Sequence, residues 1–329
     1  MNTFGSKFRL TTYGESHGLA VGGIIDGCPA RVTLDMEAIH RDLARRRSGA
    51  PRQEEDKIEW LSGLKDGITL GTPIAFSIRN KEARPEDYEA LGQLCRPGHA
   101  DYTWQQRYGL RDPRGGGRAS ARETVARVVA GAIAKQLMPG ITITAEVAQL
   151  GPERDDDTRG GTVSCRIVGL PAGIGDPVFG KLNAQLALAM MTIPSAIGFE
   201  MGAGFQAAEM TGSEYIDRWN SLTPCPSPSG EGRGRMVSTP LSFGEGLGVR
   251  STSTNHCGGI QGGISNGMPV EFRVAFHPVA TLPQPVECLA DDGTLHTVNP
   301  GGRHDRCQVL RTPVIVEAMA ALCIINYML

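Results

Sequence analysis

The chain has no CxxC pair. Its eight cysteines stand singly at 28, 95, 165, 225, 257, 288, 307 and 323, which offers neither a zinc knuckle nor a disulfide framework, so most read as small buried thiols and no metal site is expected. Also missing is any run of about 18 apolar residues, the length a membrane helix needs. The opening MNTFGSKFRLTTYGESHG holds no apolar stretch long enough for a secretory signal, which points to a cytoplasmic protein that enters no membrane. Charge of one sign is lacking too: 33 basic residues stand against 35 acidic ones, for a net charge of -2. With aromatics at 5%, no basic and aromatic surface for nucleic acid is built. No Walker sequence, GxSxG elbow, HExxH pair or Schiff-base lysine signal occurs, which excludes the chemistries those motifs carry.

Glycine is plentiful, with 43 residues, and it frames the polar residues most suited to chemistry. The 329 residues suffice for one large domain or two ordinary ones. The segment RPGHADYTWQQRYGLRDPRGGGRASARET, Arg96 to Thr124, is the centre around which the rest is read. It holds His99 between Gly98 and Ala100, the arginines Arg96, Arg107, Arg111, Arg114 and Arg118, and the turn Gly115 to Gly117. Val125, Val128, Val129, Ala132 and Ile133 then recur at helical spacing, predicting a helix from about Ala119 to Leu137 whose start faces the glycine turn. Free N–H groups there, beside guanidinium groups that keep their charge, form a receptor for an anion such as phosphate. The plainer alternative is a solvated basic loop.

Two further loops have the same character. Gly14-Glu15-Ser16-His17-Gly18 follows a short strand at Phe8 to Thr12 and leaves an imidazole sterically open, fit to give a proton near neutral pH. Gly301-Gly302-Arg303-His304-Asp305 combines a cation, an imidazole and a carboxylate. Several arginines converging suit a ligand with more than one anionic group. Spacing alone stops at a protein that binds a polyanionic small molecule and moves protons.

Between these loops, Val21 to Asp26, Ile74 to Ile78, Ile141 to Val147, Gly161 to Leu170 and Pro269 to Phe276 read as strands, with tight turns that favour antiparallel pairing. Asp35 is placed to cap a helix carrying Ile39 and Leu43 and ending in Arg45-Arg46-Arg47. Those arginines suit a helix C-terminus as well as they suit an anion. Asp176-Pro177 is read as starting another helix with Val178, Leu182, Leu186 and Ala189 on one face, and Thr312-Pro313 as starting the last. The stretch at 222–252 is dominated by Pro, Ser and Gly and predicts a disordered or exposed insertion.

The glycine-framed blocks, taken in order, resemble the chorismate synthase family. They are Gly14 to Gly18, Arg96 to Thr103, Arg114 to Thr124, Gly258 to Gly267, Gly302 to Asp305 and Val316 to Met319. The resemblance covers nearly the whole chain as one domain over 1–329. It implies an α+β fold, a β-α-β sandwich with helices between antiparallel sheets, usually as a homotetramer. The activity it implies is an anti 1,4-elimination of phosphate and a ring hydrogen from 5-enolpyruvylshikimate 3-phosphate to give chorismate, with reduced FMN (FMNH2). Some members reduce the flavin themselves with NADPH and others rely on an external flavin reductase, with NADPH as an indirect reductant; the lack of an extra reductase-like stretch favours the external route. By position, His17 protonates the departing phosphate, His99 sits by the flavin and Asp305 assists proton removal. Ser16, Arg46, Arg52, Arg107, Arg122 and Arg303 hold the substrate. Arg118, Ala119, Ser120, Gly262, His277, Pro278, Val279, Ala280, Thr281 and Arg303 meet the flavin. The chain departs from the family pattern at Ile197 and His277, where lysine is usual, and at Arg306, where proline is.

Overall fold

The computed structural model describes residues 1–47, 54–81, 88, 91–92, 94–220, 251–299 and 305–329. Alternating burial builds the first half: β1 (Thr3–Phe4), β2 (Arg9–Gly14), β3 (Ala20–Asp26), α1 (Met36–Arg47), β4 (Ile58–Trp60), β5 (Leu64–Lys65), β6 (Ile68–Thr69) and β7 (Ile74–Arg79). Along β7, Ile74, Phe76 and Ile78 are fully buried on one face while the residues between them are not, the period of two that a sheet with one covered face requires. The sheet runs β1-β2-β3-β7-β4, antiparallel throughout. Asp35 caps α1 as its sequence position predicts, its Oδ1 accepting from the Ala38 N–H at 2.9 Å.

The second half follows: α2 (Asp101–Tyr108), α3 (Thr124–Gln136), β8 (Thr142–Leu150), β9 (Gly161–Val168), α4 (Leu182–Met191), β10 (Ala196–Met201), α5 (Gly212–Tyr215), β11 (Ile260–Gln261), β12 (Ile264–Ser265), β13 (Val270–Phe276), β14 (Val286–Leu289), β15 (Leu295–Val298) and α6 (Pro313–Met328). β10-β13-β9-β8 form a second antiparallel sheet. Between the two sheets lie the helices: α3 packs on β2 and β3 and against α6, and α6 packs on β8 and β9. Both helices are apolar nearly all round, as an element with packed neighbours on every side must be. Twelve residues of α6 from Val314 to Ile325 are buried without a break. The helices-between-sheets architecture implied by the resemblance is therefore the one observed. Among the described residues, no helix is long and apolar enough to cross a membrane, and the seven described cysteines are unpaired, six of them buried.

The α3–α6 crossing depends on one glycine. A Cβ placed on Gly131 would lie 2.4 Å from both Cα and Cβ of Ala318, so the helices approach as closely as backbone allows. Gly131→Ala forces them apart and is expected to cost about 2–3 kcal/mol. Thermal unfolding should then fall by about 3–4 °C; an unchanged melting temperature would show that the crossing relaxes freely.

Three expectations are corrected. The helix predicted from Ala119 begins at Thr124, because Ser120 is extended (ψ 144°) and separates two 3-10 turns, Gly117–Ala119 and Ala121–Glu123. Buried Glu123 occupies the start of α3 and is held by Thr12 and Arg127, so that helix N-terminus is already matched to an anion of the chain itself. The helix predicted from Asp176 begins at Leu182. Val178 lies at φ +66°, a conformation no helix contains, and Asp176 N–H instead donates to the Gly180 carbonyl at 3.2 Å. Residues 222–250 of the proposed insertion lie outside the described residues. Its last two positions, Ser251 and Thr252, belong to the fold: Thr252 is buried and bridges Trp219.

Candidate active site

The turn between β2 and β3 carries Ser16 and His17. Ser16 is buried, its N–H donates to the Gly117 carbonyl at 3.4 Å, and its Oγ lies 3.1 Å from His17 Nδ1. The half-buried imidazole meets the edge of Tyr88 at 4.8 Å. On its other side is the buried backbone of Gly115, where a Cβ would fall 2.6 Å from His17 Nδ1. Any larger residue there would push the ring away, which is the physical reason for glycine at Gly115.

The arginines of the 96–118 segment are not the open anion receptor that their density suggests. Arg96 binds Asp101 through two charge-assisted hydrogen bonds, Nε to Oδ2 at 2.7 Å and Nη2 to Oδ1 at 2.9 Å, and also reaches the Gly115 carbonyl at 3.2 Å. Burial alone would raise the Asp101 carboxyl, but the Arg96 guanidinium outweighs it and holds the group below the usual carboxylate range. Arg111 donates to the Leu94 carbonyl at 2.8 Å, Arg114 pairs with Asp112 at 2.7 Å, and Arg118 donates to Thr12 Oγ1 at 2.7 Å. Arg96 and Arg114 are thus neutralised locally, and the hydrogen bonds of Arg111 and Arg118 shape the loop.

Around this loop is a cavity of about 1010 Å³. Its wall brings together His99, the Gly115–Gly117 turn, Arg118, Ala119 and Ser120, then His277, Val279, Ala280 and Thr281 after β13, and Asp305. His99 Nδ1 lies 2.9 Å from the Pro97 carbonyl, which only accepts, so the proton is on Nδ1. Its Nε2 faces the Thr281 hydroxyl at 3.0 Å. Burial and the neighbouring Arg96 charge both push the His99 imidazolium toward the neutral form. Asp305 pairs with Arg311 and accepts from the Cys307 N–H at 3.3 Å. Two buried donors of this wall, Gln308 Nε2 and Arg311 Nη1, have no hydrogen-bond partner among the described residues.

A second cluster lies behind the glycine turn. Arg122 is buried and pairs with Glu54 and Asp56, while Arg46 lies 3.8 Å from Asp56. Asn80 joins this cluster to the His17 turn, accepting from Arg122 Nε at 3.0 Å and donating to the Glu15 and Gly18 carbonyls. Sequence reading missed Asn80, Gln308 and Arg311. The first follows a strand of ordinary appearance, and the other two sit before α6 among residues read as helix approach.

The remaining expectations divide. Arg52 and Arg303, with Gly301, Gly302 and His304, lie outside the described residues. Arg107 is exposed in the last turn of α2, where a cation is favoured by the helix end alone, and does not line the cavity. Gly262 is exposed in the turn between β11 and β12 at φ +62°; hairpin geometry accounts for it, and it too is off the cavity wall. Pro278 is exposed, its carbonyl 2.5 Å from His277 Nδ1, and it does not line the cavity. Ile197 lies exposed on the edge strand β10, away from that wall. Arg306 offers its carbonyl to the Arg159 N–H at 3.0 Å.

A chorismate synthase family profile matches residues 8–156 and 151–329. The chain belongs to the chorismate synthase family. Among its curated relatives, a chorismate synthase of Christiangramia forsetii is 43% identical, with 100% of this chain and 97% of the relative covered. One of Porphyromonas gingivalis is 44% identical, covering 98% and 94%. A solved structure titled as a crystal structure of chorismate synthase superposes with a TM-score of 0.70 at 26% identity, covering 98% of this chain and 92% of that one. The reaction is accordingly the family's anti 1,4-elimination, which converts 5-enolpyruvylshikimate 3-phosphate to chorismate and phosphate in aromatic biosynthesis.

Proposed function

We propose that this chain carries out that elimination with reduced FMN in the cavity and the phosphorylated substrate between the cavity and the His17 cluster. The observation that carries the reading is the convergence of His99, residues 118–120, His277, residues 279–281 and Asp305 on one wall, with His17 just behind Gly115. The wall fits a flat, acceptor-rich ring system. It is lined by backbone at Gly98 and Gly117, both at positive φ, and it contains two donors, on Gln308 and Arg311, that have no partner among the described residues and that an acceptor on the ring would satisfy. Arg118, Ala119, Ser120, His277, Val279, Ala280 and Thr281 would hold the ring and its phosphate tail, together with Arg303. When bound, reduced flavin supplies electron density to the substrate while phosphate departs.

The chain's own residues do the rest. His17, fixed by Ser16, Tyr88 and Gly115, gives a proton to the leaving phosphate, and Arg46 and Arg122 with Arg52 stabilise its charge. His99, neutral and bonded to Thr281, presents an uncharged imidazole to the ring. Asp305, oriented by Arg311, is the carboxylate that takes up the proton lost from the substrate. A cytoplasmic homotetramer, supplied with FMNH2 by a separate NADPH-dependent reductase, completes the reading.

The test is anaerobic phosphate release from 5-enolpyruvylshikimate 3-phosphate by the purified protein with chemically reduced FMN. Release at a rate typical of enzymes, about 1 s⁻¹ or more, is expected. Tight binding of flavin and substrate by folded protein, with no release above the enzyme-free control, would instead make it a non-catalytic binding protein.

A further inference from the structure

Asn80 is the first residue after β7, where the β3–β7 register, Ala20 opposite Arg79, delivers it to the open side of the β2–β3 turn. Its backbone N–H donates to the Leu19 carbonyl at 3.1 Å. Its side-chain Nδ2 donates to two carbonyls of the same turn, Glu15 at 2.9 Å and Gly18 at 2.8 Å. These two carbonyls flank Ser16 and His17 on either side. The Oδ1 accepts from Arg122 Nε at 3.0 Å. The amide orientation follows from these partners, since the reverse assignment would set its oxygen against two carbonyls and its nitrogen against a guanidinium. Both side-chain donors and the acceptor are therefore used, and the turn is pinned at both ends by one planar group.

We propose that Asn80 is the positioning residue for His17: its amide fixes the Glu15–Gly18 backbone so that the imidazole meets the leaving group. The inference rests on the proposed role of His17 as proton donor. Without the two donors, the turn keeps its own Gly18 N–H to Glu15 carbonyl bond at 3.1 Å, so it stays a turn, but its placement against Gly115 and Tyr88 is no longer imposed from β7. A misplacement of about 1 Å is enough to cost a reaction about a hundredfold.

The side chain has two separable duties, and aspartate separates them. Asn80→Asp retains an acceptor for Arg122 but loses both donors and sets a carboxylate against the Glu15 and Gly18 carbonyls. If the turn is what matters, Asn80→Asp lowers single-turnover phosphate release about 10- to 100-fold, with substrate affinity, measured by equilibrium dialysis, changed little. Asn80→Ser, which keeps one short donor, falls between the two. The deciding measurement is the cycle with His17→Ala. In the His17→Ala background, Asn80→Asp should cost nothing further, because the contribution it supports is already gone. An equal loss in both backgrounds would assign Asn80 a merely structural role and overturn the proposal. So would turnover by Asn80→Asp within twofold of the unaltered chain, or a loss seen only in substrate affinity. If His17→Ala itself is without effect, the role given to His17 fails, and with it the proposal that depends on that role. Thermal unfolding of each variant shows that the chains compared are folded, and Asn80→Ser carries the same cycle if Asn80→Asp does not fold.

Discussion

Replacing His17 by alanine lowers phosphate release about 10²- to 10⁴-fold, the range a positioned proton donor contributes. The departing phosphate gains charge as its bond to the ring breaks, and a proton delivered at that moment lowers the barrier only if the donor is already in place. His17 meets that condition through Ser16 Oγ at 3.1 Å, the Tyr88 ring at 4.8 Å and the closely packed Gly115 backbone. Because the imidazole does not line the cavity, flavin affinity should be nearly unchanged. Stability should fall by only about 1 kcal/mol, the worth of one ring contact. Single-turnover release under anaerobic conditions, with flavin binding followed separately, measures both. A loss below about fivefold would remove His17 from the chemistry.

What could be read from the sequence divides along a physical line. Strands with one covered face, such as β7 and β13, declare themselves by alternation. The long apolar helices α3 and α6 declare themselves by continuous burial potential. α2 does not: DYTWQQRY is short and polar, and only Asp101 is buried in it, so neither period appears. The sites follow the same division. Glycine-framed loops drew attention to His17 and His99, which the structure places behind Gly115 and on the cavity wall, because backbone freedom is a local property. The partners of the most deeply buried arginine were not legible, because they are remote. Arg122 is committed to Glu54 and Asp56 across more than 60 positions, and no local pattern announces such a pair. The same holds for Asn80, whose importance depends on strand register. His277 and residues 279–281, which line the cavity, drew attention only through the family resemblance, for nothing in a strand exit announces a cavity wall.

The second large effect concerns the join between the layers, and it depends on pH. Glu317, on α6, is almost fully buried and receives partners from three other elements. Arg45 of α1 reaches it at 2.7 and 2.6 Å, Lys135 of α3 at 3.3 Å, and the Ala145 N–H of β8 at 3.0 Å. Burial taken alone raises its carboxyl, but the Arg45 hydrogen bonds, the Lys135 and Arg45 charges and the Ala145 N–H outweigh that and set it below its ordinary value of 4.5. A group lowered in the folded state stabilises the protein fully above its unfolded value, and the gain is lost as the pH falls through the lower folded one. Breaking a buried pair from one side costs about 3–5 kcal/mol. Since the Arg45 side chain remains 45% exposed, about 2–3 kcal/mol is the appropriate expectation for Glu317→Gln at pH 7. Below about pH 4.5 the unaltered chain begins to lose the same advantage, so the two stabilities converge. Urea unfolding of both proteins at pH 7 and at stepwise lower pH measures this directly. A difference that stayed constant to pH 3.5 would show that packing of the side chain, and not its charge, joins the helices to the second sheet.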